Sequence, residues 1–223
     1  CRFCFHSGGW QYRTRSPVIV VEEIEHLYDL GFREIQVFDD NFTQNRARVL
    51  DICRLIREKR LDMSFCLPNG VRVDAIDEAL LRTMFDVGFY SIHFGVESGD
   101  EEMLKSVGKG VSVEQVQTAV RLAKQVGFRV SLYLIVGLPG STPTSMEKSF
   151  ELVKASDTDY VTAFLFTPYP GSSYWRSLEQ QLAEVPWERY NDGDSSNPIY
   201  VPEGMTATQL QYWCSEINKL AEV

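Results

Sequence analysis

Residues 127–140 read GFRVSLYLIVGLPG and contain the unit from which the rest of the chain is built. Gly127 and Phe128 are typical of a helix end, because glycine adopts the left-handed conformation there without strain and the aromatic ring covers the last turn. The apolar run at residues 129–136 predicts a strand with both faces covered. A glycine-rich loop follows at residues 137–140. The stretch therefore predicts a helix end, a strand and a loop in succession.

The same unit recurs along the chain. The pairs Gly31-Phe32 and Gly88-Phe89 mark further helix ends ahead of apolar runs. We predict strands at residues 34–38, 63–67, 91–96, 129–136 and 160–166. We predict helices from Ser16 and Pro17, with Val20, Ile24 and Leu27 facing the core, at residues 45–59, 77–85 and about 145–154, and behind capping boxes at Ser112 and Thr206.

Alternating strands and helices predict a parallel α/β fold. The pattern alone fits both an open doubly wound sheet and a (βα) barrel. In either case the loops after the strands converge on one face, where ligands bind. Polar or glycine-rich segments follow the predicted strands at residues 39–41, 68–70, 97–99, 137–140 and 167–171. We therefore expect the functional face to carry these segments.

Composition and charge restrict the class of protein. The chain has 223 residues with 22 Lys and Arg against 31 Asp and Glu, a net charge of -9. A single domain with a large core is the natural expectation at this length. The acidic balance disfavours neutralisation of phosphates, so we expect no nucleic-acid partner. The longest apolar run, at residues 130–138, is too short for a membrane span. The 5 cysteines, an odd number, favour a reducing, cytoplasmic location.

Cys1 and Cys4 form a Cys-x-x-Cys pair ahead of the first predicted helix. Such a pair by itself is compatible with zinc, with thiol redox chemistry and with an iron-sulfur cluster. Zinc would require two more ligands, for which His6 is the candidate nearby in the sequence. Cys53 and Cys66 occupy apolar helix and strand positions, which predicts that they belong to the core.

Six motifs follow one another in a characteristic order. They are the Cys-Arg-Phe-Cys pair, VFDDNFT at 37–43, PNGVRVD at 68–74, FGVESG at 94–99, LIVGLPG at 134–140 and TPYPGS at 167–172. Together they resemble the radical S-adenosylmethionine (SAM) superfamily, and the likeness covers residues 1 to about 175. The DDNFT and VESG forms are similar to the branch associated with cobalamin-binding domains. That branch includes anaerobic magnesium-protoporphyrin monomethyl ester cyclases and methyltransferases.

The resemblance implies a partial (βα)6 barrel, similar to an incomplete TIM barrel, over residues 1–175, with a C-terminal helical extension at residues 176–223. It also implies a 4Fe-4S cluster on a Cys-x3-Cys-x2-Cys motif, of which Cys1 and Cys4 match the second and third cysteines. We expect the first cysteine four positions before Cys1, upstream of this chain together with the first strand. A cobalamin-binding domain would also lie upstream.

The activity that the resemblance implies is reductive cleavage of SAM to methionine and a 5′-deoxyadenosyl radical. This radical would abstract hydrogen from a small-molecule substrate, with methyl transfer or cyclisation to follow. The electron would come from a donor such as a flavodoxin or ferredoxin. Two alternatives stay open: a degenerate barrel that binds a nucleotide-like ligand without a cluster, and a zinc-dependent hydrolase that uses Cys1, Cys4 and His6.

The resemblance also assigns the residues that would hold SAM. Phe3, between the cysteines, would lie by the adenine. Asp39, Asp40 and Asn41 stand where the family commonly has Gly-Gly-Glu, and acceptors there suit the ammonium group of SAM. The other expected contacts are Glu97 and Ser98 to the ribose and carboxylate, Lys109 to the carboxylate, and Ile135 and Gly137 to the adenine.

Ordinary structural roles compete with these assignments. Residues 39–41 are also typical of loop caps and Asx turns. Glu97 follows a buried valine and needs a partner, which an ion pair with Arg72 or Lys109 would supply. His93 shares the strand parity of Glu97, and we expect it to be a hydrogen-bonded core histidine.

Overall fold

The computed structural model describes residues 1–5, 9, 12–190 and 197–220. Within these ranges one sheet contains β1 (Glu34–Gln36), β2 (Ser64–Val71), β3 (Phe89–Glu97), β4 (Arg129–Val136) and β5 (Tyr160–Leu165). The spatial order is β1-β2-β3-β4-β5, and each strand is parallel to its neighbours. Sequential parallel strands joined by helices curl into part of a barrel. The predicted α/β class and partial TIM-like barrel are confirmed.

Eight α-helices lie within the described ranges. They are α1 (Pro17–Asp29), α2 (Arg46–Lys59), α3 (Glu78–Phe85), α4 (Glu101–Ser106), α5 (Val113–Val126), α6 (Pro143–Ala155), α7 (Ser173–Leu182) and α8 (Ala207–Lys219). Of these, α1, α2, α3, α5, α6 and α8 contribute to the core against the sheet. The predicted capping boxes form at Ser112 and Thr206. Helix α6 starts before residue 145 because Thr142 caps it and Pro143 occupies its first turn. None of the helices described is long and apolar enough to span a bilayer.

Two hydrophobic clusters hold the fold together. The main cluster lies between the sheet and the helices and includes the fully buried rings of Phe65, Phe89, Phe94 and Phe128. A second cluster lies beyond the strand ends and contains Met103, Val107, Leu138, Phe166, Tyr174, Leu178 and Leu182. Because α4 and α7 supply most of this second cluster, these two helices cover the end of the sheet at which the predicted functional segments lie.

Strand β2 differs from its prediction. The strand expected at residues 63–67 runs to Val71, so residues 68–70 lie inside it rather than in a loop after it. The pairing of β2 with β3 shifts register between Leu67 and Val71. Such a bulge accommodates Pro68, which has no N–H to donate, and Gly70, whose φ is 87°.

Other boundaries also require correction. Val21 and Ile24 are the buried residues of α1, whereas Val20 and Leu27 are half-buried, so the predicted core face was displaced by about one position. Strand β1 ends at Gln36 instead of residue 38. The pattern predicts neither α4 nor α7, which are short helices capped by serine or aspartate side chains. Helix α7 includes residue 175, and the boundary that the sequence predicts there, between residues 1–175 and 176–223, stays a prediction.

Helix α8 covers the edge strand β5. The Asn218 side chain accepts a hydrogen bond from the Ala163 N–H at 2.7 Å and donates one to the Ala163 carbonyl at 3.1 Å. The Cys214 thiol also donates to that carbonyl, at 3.2 Å. These bonds replace those that a neighbouring strand would make, because an edge strand otherwise has unpaired backbone groups. The C-terminal helix is therefore part of the same folded unit as the sheet.

Replacing Asn218 with alanine is expected to lower the free energy of unfolding by about 1–3 kcal/mol, because a buried N–H is left without its acceptor. Urea unfolding followed by circular dichroism measures this loss. Ser215→Ala, on the exposed face of the same helix, is the matched control and is expected to leave stability within about 0.5 kcal/mol. Equal effects of the two substitutions would contradict the role of Asn218.

Candidate functional site

A cavity of about 550 Å³ opens at the carboxyl ends of the strands. Among the residues with predicted roles, its lining contains Cys1, Phe3, Cys4, Asp40, Asn41, Glu97, Lys109 and Ile135. These residues are distant in sequence and meet because the segments after parallel strands converge at one edge of the sheet. The structure therefore brings most of the predicted site residues around one space.

The cysteine loop is anchored at the rim of this cavity. The Arg2 N–H donates to the Val107 carbonyl at 2.8 Å, and the Arg2 carbonyl accepts from the Tyr174 N–H at 3.1 Å. The phenylalanine between the cysteines packs against the second hydrophobic cluster. Cys1 and Cys4 are both half-buried, and burial raises the pKa of the Cys4 thiol. The backbone bonds fix both sulfur-bearing residues at one place on the rim.

Glu97 and Lys109 form a buried ion pair in the cavity wall. Glu97 Oε1 lies 2.6 Å from Lys109 Nζ, and their side chains are 10% and 9% exposed. Glu97 has a φ of 70°, a left-handed conformation that is unusual for a residue with a side chain. It follows a register shift between β3 and β4, and such shifts redirect side chains. Strain of this kind is concentrated at binding and catalytic sites.

Gly95 leaves the space that this ion pair occupies. A Cβ atom on Gly95 would lie 2.8 Å from Glu97 Oε1 and 3.1 Å from Lys109 Nζ. Of the two partners that the sequence suggested for Glu97, Lys109 is the one observed. Arg72 instead forms an ion pair with Asp74 at 2.7 Å and donates to the Lys109 carbonyl at 3.1 Å. Arg72 thus supports the segment that carries Lys109.

The loop after β1 has one face toward the cavity. Asp40 and Asn41 line the cavity, whereas Asp39 lies outside the lining and 4.0 Å from a guanidinium nitrogen of the buried Arg48. The Asn69 side chain donates to the Asp39 carbonyl at 3.3 Å. The Asn41 side chain also bonds locally within its own turn, as the structural alternative expected. The loop is therefore held from β2 and α2 while two of its polar residues face the cavity.

Like Asp39, the predicted contacts Ser98 and Gly137 lie outside the cavity lining. Ser98 is buried, its hydroxyl lies 3.3 Å from that of Ser149, and it accepts from the Asp100 N–H at 3.1 Å. A Cβ atom on Gly137 would meet the Leu210 side chain of α8 at 3.0 Å. The structure thus gives both residues packing and bonding partners in the framework.

Several lining residues have no predicted ligand contact, although residues 68–70 and 167–171 are expected on the functional face and Arg72 is a candidate partner of Glu97. These lining residues are Asn69, Gly70, Val71, Arg72, Gly95, Tyr133, Leu134, Phe164, Leu165, Phe166, Thr167 and Tyr169. Some of these lining residues could be predicted from the alternation of side chains along a strand, because alternate residues of a strand share one face. Gly95 lies two residues before Glu97, and Tyr133 lies two residues before Ile135.

Other predictions about single residues have clear outcomes. His93 is hydrogen-bonded, with Nδ1 2.7 Å from the Tyr133 hydroxyl, as predicted. Burial lowers the pKa of His93. Cys53 and Cys66 are buried core residues, as predicted. His6, the candidate zinc ligand, lies outside the described residues.

The two cysteine thiols at the cavity rim fit part of the ligand set of an iron-sulfur cluster. Cys1 and Cys4 supply two soft sulfur ligands, which is the ligand type of iron-sulfur clusters. Within the ranges that the structure describes, no three His, Cys, Asp or Glu side chains are grouped to hold a metal ion. The thiols fit two positions of a cluster motif, and a third thiolate would have to come from elsewhere in the protein.

Comparisons of sequence agree with this donor set. Residues 1–153 match the family described as the Radical SAM superfamily. An uncharacterized methyltransferase of Pyrococcus horikoshii is 32% identical over 94% of this chain and 46% of its own length. The anaerobic magnesium-protoporphyrin IX monomethyl ester cyclase of Rubrivivax gelatinosus is 28% identical over 94% of this chain and 38% of its own length. The chain thus spans less than half the length of these relatives.

A solved structure shares the fold. The radical SAM methyltransferase TsrM from Kitasatospora setae, with tryptophan substrate and the SAM analogue aza-SAM bound, superposes with a TM-score of 0.76. The similarity covers 94% of this chain and 47% of that chain at 17% identity. At this identity the likeness supports the fold.

Proposed function

Because the chain belongs to the radical SAM superfamily, we propose that its cavity binds SAM beside a 4Fe-4S cluster to start radical chemistry on a small molecule. One observation carries this proposal: two half-buried thiols and a buried carboxylate-ammonium pair line the same cavity. When bound, the cluster supplies the electron that cleaves SAM to methionine and a 5′-deoxyadenosyl radical. The residues of this chain bind the cofactors, orient them and exclude water.

Cys1 and Cys4 would hold two of the irons, on a loop that its backbone bonds already fix. The third ligand is proposed to be a cysteine four positions before Cys1 in the complete protein. With three cysteine thiolates as ligands, a four-iron cluster would keep one iron available to SAM. The proposal therefore requires a third cysteine at that upstream position. A different residue at that upstream position would contradict the assignment.

The polar wall of the cavity would bind the methionine and ribose parts of SAM. Lys109 is the proposed partner of the carboxylate, and Asp40 and Asn41 are the proposed acceptors for the ammonium group, since all three line the cavity. Glu97 is the acceptor proposed for the ribose hydroxyls, since Ser98 is engaged within the framework. Asp39 and Gly137 act through the loop and the helix packing that shape the cavity.

Apolar side chains would bind the adenine and the substrate. Phe3 and Ile135 are proposed contacts for the adenine, and both belong to the lining. The aromatic residues of β4 and β5 that line the cavity are the proposed contacts for a small-molecule substrate. We propose methyl transfer or cyclisation as the overall reaction, with cobalamin bound by another domain of the complete protein. The electron would come from a flavodoxin or ferredoxin. The proposed location is the cytoplasm.

Formation of 5′-deoxyadenosine tests this function without knowledge of the substrate. The complete protein is loaded anaerobically with iron and sulfide, then mixed with SAM and dithionite. We expect 5′-deoxyadenosine that depends on both SAM and reductant. A cluster-loaded protein that forms none would overturn the proposal. A protein that takes up no iron would instead support the cluster-free barrel.

A further inference from the structure

Tyr133 crosses the inside of the half-barrel. It belongs to β4, yet its hydroxyl donates a 2.8 Å hydrogen bond to the Pro68 carbonyl on β2, two strands away. Gly95 on β3 is its register partner, and the side chain passes over β3 to reach β2. A Cβ atom on Gly70 would touch the ring edge at 3.8 Å. The phenol thus connects β4 to β2 across the intervening strand β3.

The position of the ring is fixed from several strands. His93 Nδ1, on β3, lies 2.7 Å from the Tyr133 hydroxyl oxygen. Because the single phenol proton goes to Pro68, His93 Nδ1 carries its own proton and donates it. The Phe164 ring on β5 contacts Tyr133 with a centroid separation of 5.9 Å. Groups from β2, β3 and β5 therefore hold one β4 side chain across the lumen.

A separate polar layer lies toward the amino ends of the strands. Cys66, Ser91 and Ser131 are buried there, with 7%, 7% and 3% of their surfaces exposed. Ser131 precedes Tyr133 by two positions on the same strand face, and Cys66 pairs with Ser91 in the register of β2 and β3. Tyr133 lines the cavity, whereas these three residues do not. The phenol ring thus stands between the cavity and this lower layer.

We propose that Tyr133 is the floor of the substrate cavity and a specificity-determining residue that limits how deeply a substrate enters. This inference rests on the proposed function in assigning the reaction to this cavity. Since the hydroxyl is engaged by Pro68 and His93, the ring offers aromatic carbon to the cavity. The part of the substrate that reaches the floor is therefore an apolar, carbon-rich group, and longer groups are excluded from the lower layer.

The reactivity of the buried Cys66 thiol tests this floor. The cluster-loaded complete protein is treated with methyl methanethiosulfonate, and modification of Cys66 is followed by peptide mass spectrometry. Tyr133→Ala opens the floor and is expected to raise the Cys66 labelling rate at least about tenfold. Tyr133→Phe keeps the ring and is expected to label at nearly the wild-type rate. Added SAM is expected to slow Cys66 labelling in the alanine variant, because the reagent enters through the cavity.

Cys53, fully buried on α2, reports general loosening of the fold. A wild-type Cys66 rate in Tyr133→Ala, or equal acceleration in the alanine and phenylalanine variants, would overturn the proposal. If Cys53 labelling rises in step with Cys66 labelling, Tyr133→Leu replaces the alanine variant. Leucine keeps apolar bulk but cannot reach β2, so the Cys66 labelling rate in this variant is expected to exceed the wild-type rate while Cys53 labelling does not. If the wild-type protein does not cleave SAM, the proposed function is contradicted. The comparison of Cys66 labelling between the wild type and the Tyr133 variants, made without SAM, still tests whether Tyr133 closes the cavity floor.

Discussion

Replacing Cys4 with alanine in the complete protein is expected to abolish cluster binding and SAM cleavage. Cys4 offers one of the two thiols at the cavity rim, and a cluster deprived of a thiolate ligand is not retained. We expect the iron content to fall from about four per chain to near background. The rate of 5′-deoxyadenosine formation is expected to fall at least about a hundredfold. Iron analysis and chromatography of the reaction products measure both quantities.

Cys53→Ala is the matched control for this loss. Burial raises the pKa of the Cys53 thiol to about 12, so this cysteine stays protonated and inert inside the main core. The variant is expected to retain iron and SAM cleavage with a small loss of stability. Retention of four irons in Cys4→Ala, or equal loss of iron in both variants, would contradict the assignment of Cys4.

Glu97→Gln is expected to weaken SAM binding about thirtyfold, equal to about 2 kcal/mol, while the cluster is retained. Glutamine keeps the size of the side chain but removes the charge that strengthens hydrogen bonds to ligand hydroxyls. Alanine is the less informative change, because it leaves the Lys109 ammonium buried without its partner. Equilibrium binding of SAM to the cluster-loaded protein, before reduction, gives the affinity.

Glu102→Gln makes the same change of charge outside the cavity. Glu102 lies on α4 and pairs with Lys105 on the exposed surface. This control is expected to bind SAM like the wild type, since exposed ion pairs contribute little. An unchanged affinity in Glu97→Gln, with iron content intact, would remove Glu97 from the SAM site.

Much of the fold could be predicted because its signals are local. Helix caps at Ser112 and Thr206, and the apolar run of β4, lie within short stretches of sequence and specify their elements directly. The extension of β2 through Pro68 could not be predicted in this way. It depends on a register shift against β3, which is a property of two strands together.

In the candidate site, too, features with a local sequence signal could be predicted, whereas features that depend on contacts between strands could not. That Cys4 and Glu97 line one cavity agrees with the sequence analysis, because both belong to motifs that resemble the radical SAM superfamily. The positions of Tyr133 and Gly95 could not be predicted, since they depend on contacts between strands. The Tyr133 hydroxyl reaches Pro68 on β2, and the space at Gly95 is filled by Glu97 and Lys109. The direction of a single side chain is also beyond sequence pattern, as the engagement of Ser98 with Ser149 shows.

The most direct test of the central claim is electron paramagnetic resonance of the reduced, cluster-loaded complete protein with and without SAM. SAM and the cluster are proposed to bind at one cavity, so SAM is expected to change the g-values of the reduced cluster. The same sample is expected to yield 5′-deoxyadenosine as the signal decays. A four-iron signal that saturating SAM leaves unchanged, with no 5′-deoxyadenosine formed, would contradict the account.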